Sequence, residues 1–399
     1  MSDFISVPYG QTVHGEEEIA AVVNVLRTST QMGNNVREME EKVAALFDKP
    51  YGIMVNSGSS ALYLAVELLN LPKGSEVITP ALTFATTVAP IVRHGLIPVF
   101  VDVSPGTYCI DADKVEAMIT ENTRAMVIPN LIGNLPDWKK LRALADAHNL
   151  LVIEDSADTL GATIDGKSSG IFSDISITSF YGSHVINCAG NGGMLTVRNG
   201  EHYNRARLLR SWGRSSSLFV ESEAIENRFN VEVDGIAYDA KFVFEEPGYN
   251  LEPSEMGAAF GLVQLNKLEN NISEREKNFS FLVDFFKRYQ DWFILPQQLP
   301  HSRTGWLAFV LTIKPEAPFS RRDFQIFMEK RRIQTRTVFT GNILRQPGFK
   351  NIAHRAAQGG YPNADAVMKG GMLMACHHGL NDAQREHLVA SAERFLSSF

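Results

Sequence analysis

The stretch YGIMVNSGSSALYLAVELL, Tyr51–Leu69, decides the fold. Tyr51–Val55 is an apolar run of strand length. Asn56–Ser59 is small and polar, and Ser60–Leu69 carries apolar residues at helical spacing. A strand, a Gly/Ser turn and a helix make the first half of a βαβ unit. The rhythm repeats downstream: Glu76–Ile78, Ile97–Val103, Ala125–Pro129 and Leu150–Ile153 read as strands. Between them Ala85–His94, Ala112–Ile119 and Asp137–His148 read as helices. Such alternation implies a mainly parallel sheet with helices on both faces and right-handed crossovers. Asp174–Phe180 and Gly193–Val197 add two strands, joined by a Gly-rich turn and followed by a helix at His202–Leu209. Upstream, helices at Glu16–Leu26 and Val36–Leu46 flank an irregular Thr28–Asn35.

The regular alternation ends with Leu150–Ile153, and further on the pattern breaks altogether. Asn227–Pro253 mixes acidic, aromatic and Gly/Pro residues and reads as an excursion. Ser254–Tyr289 reads as a long helical stretch with a break near Asn270–Ser273. Trp306–Ile313 (strand), Arg321–Arg331 (helix), Ile333–Thr337 (strand) and Ala383–Leu396 (helix) suggest a smaller α+β unit. The expected fold class is therefore α/β, with a large domain over 1–255 and a smaller C-terminal α+β domain over 256–399. A chain of 399 residues, 44% of them hydrophobic, suits two domains. A net charge of −7 with no long basic run argues against a nucleic-acid partner. The three cysteines, Cys109, Cys188 and Cys376, are far apart and form no CxxC pair. Thiolate-held metal, an iron–sulfur cluster and a disulfide framework are all unsupported. The start, MSDFISVPYGQTVHGEEE, lacks the basic-then-apolar pattern of a signal peptide, and no apolar run approaches the ~20 residues of a membrane span. The expectation is a cytoplasmic protein without a membrane partner.

Ligands of open α/β sheets sit beyond the C-terminal ends of strands, so the residues there are the site candidates. Asn56-Ser57-Gly58-Ser59-Ser60 opens a helix, where free N–H groups and the dipole favour an anion such as phosphate; a plain N-cap at Ser59 or Ser60 is the competing reading. Glu154-Asp155-Ser156-Ala157-Asp158 follows a strand. Asp155 suits a protonated pyridine nitrogen, against a solvated loop. Phe84, after the second strand, suits stacking on a flat ring, against a core aromatic. Ser179 and His184 lie in SFYGSH. Ser179 can donate to a phosphate, and His184, with an ordinary pKa of about 6.5, can move protons near neutrality. A lone histidine is otherwise a structural one. The set together is the parts list of a vitamin B6 enzyme.

At this point the chain resembles the DegT/DnrJ/EryC1/StrS sugar aminotransferases, which are fold type I pyridoxal phosphate enzymes. The resemblance runs nearly end to end. It is carried by GEEEIAAVVNVLRT, NSGSSALYLA, EVITPALTFATTVAPI, PVFVDVSPGTYCID, VIEDSADTLGA, SITSFYGSH, NGGMLTV and PGYNLEPSEMGAAFGLVQLNKL. It implies a mostly parallel seven-stranded sheet in the large domain. It also implies that Phe84 stacks on the cofactor ring, Asp155 pairs with its nitrogen and Asp158 sits near its 3-hydroxyl. Gly58, Ser59 and Ser179 would hold the phosphate. Asn250 would reach the phosphate of the other subunit, making a homodimer the catalytic unit, and Arg336 would meet the substrate.

One departure redirects the function. Aminotransferases of this family carry a lysine in the SF-x-x-x-K context, where this chain has His184. Between Lys167 and Lys241 there is no lysine. An imidazole cannot form the covalent cofactor link, so pyridoxal and pyridoxamine phosphate would be held non-covalently. That pattern is similar to the sugar 3-dehydratases of the family. An iron–sulfur-dependent subtype needs cysteines after the Ser211–Arg214 segment, and none occurs before Cys376. The metal-free subtype acting on GDP-4-keto-6-deoxy-mannose is similar through FVFEEPGYNLEPSEMGAAFG, RTVFTGNIL and NAD-x-x-MKGG-x-L. The resemblance implies loss of the C3 hydroxyl with His184 as base and L-glutamate as amino donor, giving a 4-keto-3,6-dideoxy sugar, 2-oxoglutarate and ammonia. The competing readings are an aminotransferase that manages without the lysine and a non-catalytic binder of sugar nucleotides.

Overall fold

A computed structural model of the chain describes residues 5–399; residues 1–4, part of the segment read above for a leader, lie outside them. Two helices lead, α1 (Glu16–Thr28) and α2 (Asn34–Leu46). The alternation follows as β1 (Tyr51–Val55), α3 (Gly58–Leu68), β2 (Glu76–Pro80), α4 (Ala85–Arg93), β3 (Ile97–Val101), β4 (Thr123–Pro129), α5 (Trp138–Ala147) and β5 (Leu151–Ser156). A small hairpin, β6 (Thr163–Ile164) and β7 (Lys167–Ser168), precedes β8 (Ile175–Ser179), β9 (Gly193–Val197) and α6 (Gly200–Arg210). The excursion region holds short elements: α7 (Ile225–Arg228) and the hairpin β10 (Val231–Val233) and β11 (Ile236–Tyr238). Then come α8 (Glu255–Asn266), α9 (Leu268–Phe286), β12 (Phe293–Ile294), β13 (Ser302–Arg303) and β14 (Phe309–Ile313). The chain closes with α10 (Arg321–Lys330), β15 (Arg336–Thr337), α11 (Pro362–Gly370), β16 (Gly371–Met374) and α12 (Asp382–Leu396).

The main sheet has seven strands in the order β1-β9-β8-β5-β4-β2-β3. Pairings among β8, β5, β4, β2 and β3 are parallel, and β9 runs antiparallel to both β1 and β8. Side chains alternate between its faces with period two. Val77, Val127 and Ile153 pack in one apolar cluster with Leu62 and Ala65 of α3, while Ile78, Ile128 and Val152 pack in another with Leu141 and Ala145 of α5. The fold is thus the expected α/β sheet with helices on both faces. A second, antiparallel sheet of four strands, β12-β14-β16-β15, carries the C-terminal part. Its core is aromatic, with Phe286, Phe293, Phe309 and Phe324 fully buried. Helix α8, at the proposed boundary near residue 255, packs on α1 and α2. Its Glu255 carboxylate caps α2 by accepting from the N–H groups of Gly33, Asn35 and Val36, satisfying otherwise orphaned donors.

Four local expectations are corrected. Ala112–Ile119 is not an α-helix but two 3₁₀ turns, Ala112–Lys114 and Glu116–Met118, closed by i→i+3 bonds from Lys114 to Asp111 and from Met118 to Val115. The Asp111 carboxylate caps the first of these turns by accepting from the Asp113 N–H. The long helix breaks at Lys267 rather than near Asn270–Ser273, where the Lys267 ammonium reaches the Glu17 and Glu18 carboxylates. Ile333 is not in the strand that follows; it bridges to Val7, and only Arg336–Thr337 pairs with β16. Strand β5 runs on through Ser156, so Glu154 and Asp155 lie in it rather than after it.

Candidate active site

The extension of β5 places the acids. Period-two alternation sends Glu154 and Asp155 to opposite faces. Glu154 is fully buried and accepts from Asn130, Ser156, Ser169, Ser173 and Ser176. The ammonium of Lys49 donates to Ser173 and Ser176 in the same cluster. Glu154 is therefore a satisfied structural carboxylate. Asp155 faces a cavity of about 410 Å³ at the C-terminal ends of the parallel strands.

Each sequence candidate after a strand, save Asn56, Ser60, Glu154 and Ser156, lines this cavity: Ser57, Gly58 and Ser59 after β1, Phe84 after β2, Asp155, Ala157 and Asp158 at and after β5, Ser179 at the end of β8, and His184. Ser57, not Ser59 or Ser60, caps α3, its hydroxyl accepting from the Ser60 N–H. The Ser60 hydroxyl donates to Asn56, which leaves the Ser59 hydroxyl without a partner among the described residues. A Cβ on Gly58 would lie 2.6 Å from Cβ of Ser179, and one on Gly193 would lie 2.3 Å from the Ser57 carbonyl. The turn, β8 and β9 thus meet in van der Waals contact, and only glycine admits the approach. The result is a helix N-terminus, two hydroxyls and bare backbone at one end of the cavity, which fits a phosphate. Phe84 is 52% exposed, so it is no core aromatic; its ring meets Phe339 edge-on at 5.7 Å across the cavity wall.

The floor is acidic and uncompensated. Asp155 accepts from the Thr87 hydroxyl at 2.8 Å and the Ala157 N–H at 3.1 Å, and Asp158 from the Ile132 N–H at 2.8 Å. Neither carboxylate has an ion-pair partner among the described residues. Burial pushes the Asp155 carboxyl up to about 6 and the Asp158 carboxyl up to about 7. Hydrogen bonds oppose both shifts, and each gains a smaller push from an acidic neighbour. A cationic ring held over them relieves this cost, which fits a protonated pyridine. Since the folded pKa of Asp158 exceeds the unfolded value near 3.8, the stability tied to it is whole at low pH and is lost as pH rises through about 7. Asp158→Asn should therefore stabilise the cofactor-free protein by up to about 4 kcal/mol at pH 8 and by almost nothing at pH 4. Urea unfolding at the two values tests this; equal effects at both would refute the assignment.

His184 sits in the turn after β8. Its Nδ1 is 3.1 Å from the Ser179 carbonyl oxygen. A carbonyl only accepts, so Nδ1 carries the proton and Nε2 keeps a free lone pair. Burial pushes the imidazole down to about 4, opposed by the Ser179 bond and reinforced by the nearby Arg275 guanidinium. The expectation of titration near 6.5 is corrected: in the folded chain this ring is neutral throughout the neutral range. The Tyr181 ring stands edge-on to it at 5.9 Å.

Two candidates lie elsewhere. Asn250 is exposed, bridges to Ser211 and does not line this chain's cavity. Arg336 is exposed, with its guanidinium 5.5 Å from the ring centre of Tyr9, which does line it. Sequence reasoning missed Tyr9, Thr87, Leu307 and Phe339. Thr87 was within reach, one helical turn beyond Phe84. Tyr9, Leu307 and Phe339 arrive from segments without periodicity, and only the tertiary fold brings them in. Among the described residues there is no group of three or more His, Cys, Asp or Glu side chains placed to hold a metal, and no helix is long and apolar enough to cross a membrane.

The model of the DegT/DnrJ/EryC1/StrS aminotransferase family matches residues 12–393. The lipopolysaccharide biosynthesis protein RfbH of Salmonella typhimurium is 34% identical over 98% of this chain and 91% of the relative. The dTDP-4-dehydro-2,6-dideoxy-D-glucose 3-dehydratase of Saccharopolyspora spinosa is 34% identical over 98% of this chain and 86% of the relative. Among solved structures, E. coli GDP-4-keto-6-deoxy-D-mannose-3-dehydratase with bound hydrated PLP superposes with a TM-score of 0.88 at 27% identity, covering 97% of this chain and 99% of that one.

Proposed function

The chain belongs to the DegT/DnrJ/EryC1/StrS aminotransferase family of pyridoxal phosphate-dependent, sugar-modifying enzymes, and from that premise we propose that it is a nucleotide-sugar 3-dehydratase. The observation that carries the reading is His184: it stands where the family resemblance expects lysine, and among the described residues no lysine lines the cavity. The names of two relatives, 3-dehydratases acting on dTDP- and GDP-sugars, support the same reaction class. The net reaction removes the C3 hydroxyl of a 4-keto-6-deoxy sugar nucleotide, the GDP-mannose derivative by the sequence reading. Glutamate plus that sugar gives the 4-keto-3,6-dideoxy sugar, 2-oxoglutarate and ammonia, and atoms balance without added oxidant or reductant.

Bound pyridoxal or pyridoxamine phosphate supplies an amine and an electron sink. The residues present fit that group. Gly58, Ser59 and Ser179 hold its phosphate, and Phe84 covers the ring. Asp155 keeps the ring nitrogen protonated, and Asp158 faces the 3-hydroxyl. With no lysine in reach the group is held non-covalently. Asn250 completes the phosphate site of the partner subunit, so the catalytic unit is a homodimer, and Arg336 meets the substrate at the rim. His184 takes a proton at Nε2 and returns it, Nδ1 staying bound to Ser179; a neutral ring serves both halves of the reaction. We place the enzyme in the cytoplasm.

A panel of GDP-, dTDP-, CDP- and UDP-linked 4-keto-6-deoxy sugars, incubated with the enzyme, pyridoxamine phosphate and glutamate, tests the reading. Stoichiometric ammonia and 2-oxoglutarate with a sugar lighter by one oxygen is the expected result. A 4-amino sugar with no ammonia sinks it in favour of transamination.

A further inference from the structure

Arg275, on α9, is 0% exposed and has no ion-pair partner among the described residues. A permanently charged group in that position is costly unless every donor is matched. Here they are. Nη1 donates to the carbonyls of Trp306 at 2.9 Å and Leu307 at 3.1 Å. Nη2 donates to the carbonyls of Ser183 at 3.3 Å and His184 at 3.0 Å, and Nε donates to Nδ1 of His378 at 3.2 Å. All five guanidinium N–H groups find neutral acceptors. The acceptors fall in three separate segments. Ser183 and His184 form one part of the cavity wall and Leu307 another. The fork therefore spans the two walls and fixes their spacing.

The imidazole of His184 is thereby held from two sides. Its own carbonyl is tied to Arg275, and its Nδ1 is tied to the Ser179 carbonyl. We propose that Arg275 is the positioning residue of the site: its guanidinium clamps the His184 turn to the Leu307 wall so that Nε2 of His184 is presented to the cavity in one orientation. The inference rests on His184 as the base. The uncompensated positive charge has a second effect, since it disfavours a second positive charge on the ring beside it. The other titratable groups bordering this region are Tyr181 beside the ring, Tyr9, Asp155 and Asp158 across the cavity, and Cys376, His377 and His378 behind Arg275. The histidines behind are depressed by burial and by the same guanidinium.

Two variants separate geometry from charge. Arg275→Lys keeps the charge and loses the fork; Arg275→Met loses both. The readout is the ¹⁵N spectrum of the His184 ring in cofactor-free protein, assigned by its absence from His184→Asn. In the wild type the ring should stay neutral with the proton on Nδ1 down to about pH 5. Arg275→Lys should mix the two tautomers and lower kcat by about tenfold or more, with KM nearly unchanged. Arg275→Met should in addition raise the ring's titration midpoint by about one pH unit. Retention of a single Nδ1–H tautomer and wild-type kcat in Arg275→Lys would overturn the proposal, whether or not Arg275→Met folds. If His184→Asn instead retained turnover, the base assignment alone would fall, because the tautomer measurement needs no activity.

Discussion

His184→Asn is expected to lower turnover by a factor of about 10² to 10⁴ while leaving cofactor affinity within about threefold. The asparagine amide can donate to the Ser179 carbonyl as Nδ1 does now, so the turn keeps its tie. What disappears is Nε2 and its lone pair. No group of the cofactor cradle, Gly58, Ser59, Ser179, Phe84 or Asp155, is touched by the change. Turnover by stopped assay and affinity by fluorescence titration read the two effects separately. A variant with wild-type turnover would remove the ring from the chemistry. His184→Lys sharpens the point, since an amine there should produce the absorbance of a lysine-linked cofactor; a spectrum identical to the wild type would mean that position 184 does not reach the cofactor's aldehyde.

Asp155→Asn should cost about 10²- to 10³-fold in kcat. The physical reason is charge. The carboxylate is buried, faces the cavity and has no cation of its own, so the group it stabilises best is a positive one on a ligand. An amide of the same shape keeps the bond from the Ala157 N–H through its one oxygen, turns its NH2 toward the Thr87 hydroxyl, which then accepts, and offers no negative charge. Cofactor should still bind, with its ring nitrogen unprotonated at neutral pH and its absorbance shifted accordingly. Unchanged kcat would show that the nitrogen is not held by this side chain.

The sequence made the sheet legible because its signals are local. Tyr51–Val55 and Ser60–Leu69 announce themselves by apolar pattern and a Gly/Ser turn, and the structure places β1 and α3 there. The end of β5 was not legible. Consecutive acids look like a loop unless their partners are known, and four of the five partners of Glu154 are distant in sequence: Asn130, 24 residues before, and serines 15 to 22 residues later. Strand β16, central in the small sheet, hides in Gly371–Met374 because a glycine-led run of four carries no alternation. The gathering of Ser59, Phe84, Asp155 and Ser179 around one cavity followed from a topological rule about strand ends. The neutral state of His184 did not, because it depends on burial and on Arg275, 91 residues away.

Strand β5 behaves as a reading frame of two. Its even residues, Val152, Glu154 and Ser156, belong to the scaffold, and its odd residues, Ile153 and Asp155, belong to the cavity side. The two carboxylates are neighbours in sequence and nearly identical in chemistry, yet parity alone gives them different occupations. Inserting or deleting one residue upstream in the strand exchanges them, turning Asp155 into the serine cluster and Glu154 into the cavity. Such a frameshift leaves composition and hydrophobic content almost untouched while dismantling scaffold and site together. Substitutions at either acid are graded changes; a slip of register here is all or none.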